Sequence, residues 1–226
     1  MFHVKPPVET DQEKPTPPPA AADAVFGANL HKAIAYHRSL ATDGAVRGFI
    51  GPREVPRLWE RHILNCAVLG EVIPDEEGLR IADIGSGAGL PGIPLALARP
   101  DLRITLIEPL LKRSTYLTEV VRDLALENVT VVRGRAEEKA VRDKVGRFSV
   151  VTSRAVAPLG KLASWSLPLV ARGGEMMALK GASVREELER DVREITRAGG
   201  GRARIITVGE GRVSEPATVI VIPRRR

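Results

Sequence analysis

From residue 79 onward the chain alternates short β-branched runs with longer amphipathic ones, and that alternation leaves few folds open. Residues 79–84, 104–107, 129–132, 149–152 and 176–179 have the length and Val/Ile content of buried strands. Between them, residues 91–98, 112–126, 137–144, 161–169 and 184–198 carry helical periodicity. Such alternation builds a parallel sheet covered by helices on both faces. The chain closes differently. Residues 205–208 and 218–222 are joined by a Gly-rich loop without a helix, so they should pair antiparallel at one sheet edge. The expected fold is therefore α/β and Rossmann-like, with a mostly parallel seven-stranded sheet and an antiparallel edge hairpin. The clearest helix is 184–198. Ser183 and Glu186 have capping-box spacing, Leu188, Val192 and Ile195 share a face, and Glu186–Arg190 and Glu189–Arg193 can pair.

Ahead of the sheet the pattern changes. Six of the 17 prolines fall within the first 19 residues, among polar neighbours, and residues 1–22 are expected to be a disordered tail. Apolar residues at Val25, Leu30, Ile34 and Leu40, then at Leu58, Ile63 and Leu69, predict a helical cap over 23–77. The sheet domain is expected over 78–226.

The formal net charge is +6, and residues 1–23 hold two lysines against four acids, so the basic excess lies in the folded part. That surplus suits an anionic partner, with nucleic acid ahead of a membrane surface. A single cysteine, Cys66, excludes a disulfide framework, and its apolar neighbours Ile63, Leu64 and Val68 suggest a buried thiol. No Cys/His cluster has metal-binding spacing, so no metal is expected. Lys5, Pro6, Pro7 and Glu9 interrupt any signal sequence, and the uncharged stretch 84–98 has two prolines and is too short for a bilayer. A cytoplasmic protein without membrane contact is expected.

The strongest local motif is Asp83-Ile84-Gly85-Ser86-Gly87-Ala88-Gly89-Leu90-Pro91-Gly92, which follows a strand and opens a helix, with Pro91 suited to the first helical turn. Glycines remove Cβ and let backbone approach a ligand at the carboxyl end of the strands. The dinucleotide spacing G-x-G-x-x-G is broken by Leu90, and no Gly-Lys-Ser/Thr follows for a triphosphate. S-adenosylmethionine has no pyrophosphate. It asks for a loop that passes its amino acid and ribose, and an acid at the next strand end for the ribose hydroxyls. Glu108 is that acid. Beyond the third strand, Ala136 and Glu137 could address the adenine, although acids are also favoured at any helix start. After the fourth strand stand Ser153-Arg154-Ala155-Val156-Ala157-Pro158. The Asp/Asn-Pro-Pro-aromatic signature for methylating an exocyclic amine is missing there, as is a cysteine to add to a pyrimidine. A ring nitrogen with an in-plane lone pair needs neither, only in-line placement. No catalytic residue is assigned, and Arg154 and Lys180 are positioning candidates. Arg154 could hold the cofactor carboxylate or a phosphate, and Lys180 could meet a phosphate.

Together these residues resemble the bacterial small-subunit ribosomal RNA methyltransferase G family, also called glucose-inhibited division protein B. The matching blocks include Arg61-His62-Ile63-Leu64, Asp83 through Pro94, Lys112-Arg113, Arg135-Ala136-Glu137-Glu138, Ser153-Arg154-Ala155 and Ala178-Leu179-Lys180-Gly181, over about residues 58–182. The resemblance implies a class I S-adenosylmethionine-dependent methyltransferase with an N-terminal helical cap. Its expected target is guanine N7 in the decoding region of 16S ribosomal RNA, as naked RNA or within the 30S subunit. Its cofactor contacts would fall on Gly85, Leu90, Glu108, Ala136, Glu137 and Arg154, with Asp83, Gly87 and Gly89 completing the loop. Asn65-Cys66 departs from the usual Asp-Ser, and Ala88 from a common Pro. An RNA-facing rim would comprise Arg53, Arg57, Arg61, His62, Lys112, Arg113, Arg135 and Lys180, with a lone His beside a helix, as His62 is, more often a packed hydrogen-bonder than a catalyst. Two other readings stay open on the residues alone: a methyltransferase of a small molecule or protein, and a non-catalytic RNA-binding protein with a retained nucleoside pocket.

Overall fold

The computed structural model describes residues 16–154 and 156–225. Seven strands run β1 (Arg80–Ile84), β2 (Arg103–Glu108), β3 (Val129–Arg133), β4 (Phe148–Arg154), β5 (Val170–Lys180), β6 (Arg204–Val208) and β7 (Ala217–Pro223). They form one sheet in the order β3-β2-β1-β4-β5-β7-β6. The first five are parallel, whereas β7 is antiparallel to both β5 and β6. The strand order reverses between β1 and β4, which opens a crevice at their carboxyl ends.

Helices α1 (Ala20–Phe26), α2 (Leu30–Ser39) and α3 (Asn65–Ala67) precede the sheet, and α4 (Gly92–Ala98), α5 (Leu111–Asp123), α6 (Lys139–Val145), α7 (Leu159–Ser166) and α8 (Val184–Arg197) follow its strands. Period-two alternation sends neighbouring strand residues to opposite faces. Met177, Leu179, Val219 and Val221 join a core with the helical cap, α4 and α5, while Met176, Ala178, Ile220 and Ile222 join one with α6, α7 and α8. The cap supplies Phe26, Tyr36, Leu40, Leu58, Ile63 and Leu69 to the first core.

Several boundaries depart from expectation. Of the expected tail, residues 1–15 lie outside the described residues, but α1 starts at Ala20 and buries Ala22, three residues ahead of the boundary at 23, because an Ala-rich run follows Pro19. β5 begins six residues early, since a register shift opposite Phe148 and Val150 carries the strand past the Gly173-Gly174 pair that reads as a break. Pro91 occupies the N-cap of α4, not its first turn. At α8 the Ser183 hydroxyl bonds the Glu187 side chain (3.3 Å) with no side-chain cap bond, so the capping box does not form. Arg190 pairs with adjacent Asp191 (2.6 Å) in place of Glu186. Val192 is 51% exposed, and the buried face runs through Val184, Leu188 and Ile195.

Candidate active site

The β1–α4 loop is shaped by backbone bonds to the neighbouring strand and within itself. Gly85 N donates to the Ile107 carbonyl (2.8 Å), and Gly89 N to that of Ser86 (2.7 Å). Glu108, at the end of β2, is buried and accepts Gly87 N through Oε2 and Leu110 N through Oε1, both at 2.9 Å. One carboxylate thus fastens two loops. It keeps acceptor capacity, because each oxygen has a second lone pair.

Beside this junction lies a cavity of about 490 Å³. It is lined by Gly85, Ser86, Gly87, Ala88 and Leu90 of the β1–α4 loop, by Glu108, Pro109, Leu110 and Arg113 at and after the end of β2 and Arg135 after β3, and by Arg154 of β4 and Val156 just after it, on the other side of β1. The cap closes it with Phe49, Ile50 and His62. Gly87 has φ +60°, and a Cβ there would meet nothing nearer than the Gly85 carbonyl at 3.9 Å, so bare backbone faces the cavity.

Arg154 ends β4 and is held by the cap. Its Nη1 donates to Cys66 Sγ (3.1 Å) and the Arg61 carbonyl (3.3 Å), and its Nη2 to His62 Nδ1. His62 Nε2 donates in turn to Glu54 Oε2 (2.7 Å), which fixes the neutral tautomer. Burial, then the Arg154 charge, holds the His62 pKa below its ordinary value. Burial likewise pushes the Cys66 thiol up, in keeping with a packed thiol and not a nucleophile. The segment carrying Arg61 and His62, Leu58–Leu64, is π-helical, an irregularity that re-aims side chains and is frequent at functional sites.

The structure gathers Gly85, Gly87, Leu90, Glu108 and Arg154 from the expected cofactor set, and Arg113, Arg135 and His62 from the expected RNA rim, around this one cavity. Others lie elsewhere. Asp83 is fully buried beneath the loop, where Oδ2 accepts Gly92 N (3.0 Å) and Oδ1 has no partner; burial pushes its pKa up to about 7. Gly89 packs the loop against the cap, for a Cβ there would sit 2.6 Å from Ile93 and 3.0 Å from the Tyr36 hydroxyl. Ala136 and Glu137 fall just past the Arg135 wall without lining it, and Ala136 belongs to the second core. Lys180 donates to the Ala157 carbonyl (3.0 Å) and Glu187 (2.8 Å), beside a second cavity of about 430 Å³ that also touches Arg61 and Arg154. Arg53 is exposed, Arg57 pairs with Glu215 (3.0 Å), Arg61 with Glu54 (3.5 Å), and Lys112 Nζ donates to the Arg47 carbonyl (2.8 Å). Ala155 lies outside the described residues.

Phe49, Ile50, Leu110 and Glu54 escaped the sequence reading. Gly48 and Gly51 bracket the first two, a turn signal that marks a loop without saying what it faces. Among the described residues no helix is long and apolar enough to cross a membrane.

A family model described as rRNA small subunit methyltransferase G matches residues 29–214. The chain is 70% identical to a protein of that name from Corynebacterium glutamicum, over 93% of both chains. It is 56% identical to one from Rhodococcus jostii, over all of this chain and 99% of the other. Among solved structures, fibrillarin from Aeropyrum pernix, in complex with natively bound S-adenosyl-L-methionine, superposes with a TM-score of 0.52 at 20% identity, covering 72% of this chain and 74% of that one. The last likeness carries the fold alone. The model match and the two high identities establish that this chain belongs to the rRNA small subunit methyltransferase G family.

Proposed function

We propose that the protein transfers a methyl group from S-adenosylmethionine to N7 of a guanine in the decoding region of 16S ribosomal RNA, in the cytoplasm, with the 30S subunit or its RNA as partner. Family membership supports the ribosomal RNA class. The observation that carries the chemistry is the cavity in which one carboxylate and three guanidinium-bearing side chains meet a glycine-rich backbone turn.

The cofactor fits this site on three counts. The volume is ordinary for a small-molecule pocket. The exposed Gly87 backbone gives room for close approach, and Glu108 retains acceptor sites for a ribose diol. When bound, S-adenosylmethionine supplies an electrophilic methyl group on a sulfonium. In this reading Gly85, Gly87 and Leu90 line its amino-acid side, Arg154 receives its carboxylate, and the adenine lies toward Arg135, ahead of Ala136 and Glu137.

The chain's own residues then have to orient an acceptor and keep water out. Guanine N7 carries its lone pair in the ring plane, so no proton has to leave first. The geometry agrees with that requirement: both nitrogens of His62 are engaged, one by Arg154 and one by Glu54, leaving it no free nitrogen to act as a base. Placement is the catalytic effect that remains. Arg113 and Arg135 face the same opening and suit RNA phosphates. The test is transfer of labelled methyl to small-subunit particles from cells lacking the protein, followed by mass mapping. One added methyl on a guanine is expected. Label found only on protein or small metabolites would sink the reading.

A further inference from the structure

At the end of the sheet opposite the cavity, where the parallel strands begin, four arginines come together. Arg80 opens β1, Arg147 immediately precedes β4, Arg172 is the third residue of β5, and Arg224 immediately follows antiparallel β7. These strands are neighbours in the order β1-β4-β5-β7, so the topology places their charges along one edge. Backbone carbonyls aim the guanidiniums. Arg80 donates to the carbonyls of Arg147 (3.0 Å) and Val145 (2.6 Å), Arg147 to that of Pro168, and Arg224 to that of Val170, two residues further on.

Carbonyls orient these groups but do not neutralise them. Among the described residues none of the four pairs with a carboxylate, and Glu175, the acid on this stretch of β5, is engaged by Arg204 at 2.8 Å. Burial, and then the like charges of Arg147 and Arg172, lower the Arg224 pKa. Assembled guanidiniums with unused donors suit phosphate oxygens.

We propose that this edge is a second phosphate-binding surface that grips the RNA backbone of a large substrate, remote from the nucleotide being modified. The proposal rests on the reading that the substrate is ribosomal RNA. Even the five-residue β1 separates the two ends by about 17 Å, so a short hairpin seated at the cavity does not reach this edge whereas a folded particle does. RNA fits better than an anionic membrane, because among the described residues the large exposed apolar side chains, Val46, Leu110, Leu111 and Val192, lie outside this cluster and give it nothing to insert.

The experiment compares the full-length parent with an Arg147→Gln/Arg172→Gln/Arg224→Gln variant, using small-subunit particles and a short decoding-region hairpin. For particles, KM should rise about tenfold and the slope of log K against log salt should fall by roughly two to three, near one for each lost phosphate contact. Turnover at saturating particle, cofactor Kd and hairpin affinity should not change. Because Arg147 and Arg224 also hold backbone carbonyls, Arg172→Glu alone provides a variant with no such bond to lose, and it should reproduce the effect in part. An unchanged particle KM and salt slope in both variants overturns the proposal, as does loss confined to phosphatidylserine vesicles. Failure of the parent to methylate any particle would sink the ribosomal reading instead, and the salt slope of binding alone would then decide this surface.

Discussion

The sheet and the helical cap solve different problems. In the sheet, runs such as 80–84 on 103–107 and 104–108 beside 129–133 keep contiguous register, and its helices follow at regular intervals. The cap is broken by 3-10 turns at Gly27–Asn29, Pro52–Arg57 and Val68–Val72 and by π-helical turns at Leu40–Gly44 and Leu58–Leu64. It is tied to the sheet domain by side chains that seek distant carbonyls: Asn29 to Leu97 (2.9 Å), Lys32 to Ala125 (3.0 Å), Tyr36 to Ala88 (2.8 Å) and Asn65 to Glu215 (3.0 Å). Regular structure delivers backbone to the cavity, as the loops after β1 and β2. It also delivers the charged side chains Glu108, Arg113 and Arg154, while irregular structure delivers the apolar and imidazole side chains of the cap, Phe49, Ile50 and His62. The cap trades helical regularity for placement.

The sharpest way to break this arrangement is at the seam. Gly89→Ala forces φ +102° on a residue with a Cβ and drives that atom into Ile93 and the Tyr36 hydroxyl. Unfolding in urea should show a loss of about 3 kcal/mol, the sum of backbone strain and overpacking. Arg154→Ala should raise the cofactor Kd about 30-fold, on the order of 2 kcal/mol for a buried hydrogen-bonded charge, by calorimetry. A constant that did not move would falsify the carboxylate role proposed for it. Tyr36→Phe removes only the hydroxyl from the buried Ala88 carbonyl and should lower stability by about 1–2 kcal/mol while leaving saturated turnover intact.

The two regions should also differ in how acid treats them. His37 stacks on Trp59 with ring centroids 4.8 Å apart, its Nε2 is buried without a partner, and burial holds its pKa at about 4. The unfolded chain therefore takes up that proton first, and the cap's contribution falls as pH drops from about 6.5 to 4. Asp83 has the opposite sign. The folded state keeps a proton that the unfolded state has released, so its contribution falls as pH rises from about 4 to about 7. The two windows overlap with opposite slopes, so melting temperatures across that range should lose their rising component in His37→Phe and their falling component in Asp83→Asn. The smallest effect concerns Arg57, whose ion pair with Glu215 is exposed: Arg57→Ala should leave stability unchanged, yet lower the salt slope of RNA binding by about one if it touches a phosphate.

How much could be read in advance follows the same division. Strand positions, the closing antiparallel pair and the glycine turn with Glu108 were legible because each depends on local periodicity or on a motif within one βα unit. The extent of β5 was not, since its early half is recruited by pairing with Phe148 and the register then shifts. Gly89 read as a cofactor glycine because nothing near it in sequence reveals Tyr36, 53 positions upstream, lying over it. Lys180 read as a free cation because its partner Glu187 sits on the next helix. Glu54 carried no signal at all, as its importance comes from a histidine eight residues on, in a segment whose π-helical turns defeat any face assignment.

The anchoring of Arg154 by Arg61, His62 and Cys66 bears on how such a protein could be pared down or recombined. Trimming away everything before the first strand would strip that guanidinium of all three anchors and bare an oily sheet surface, so a minimal catalytic fragment has to start upstream of Glu54. Chimeras that exchange the front end between relatives should work when the quartet Glu54, His62, Cys66 and Arg154 travels as a unit, and lose donor binding when it is split.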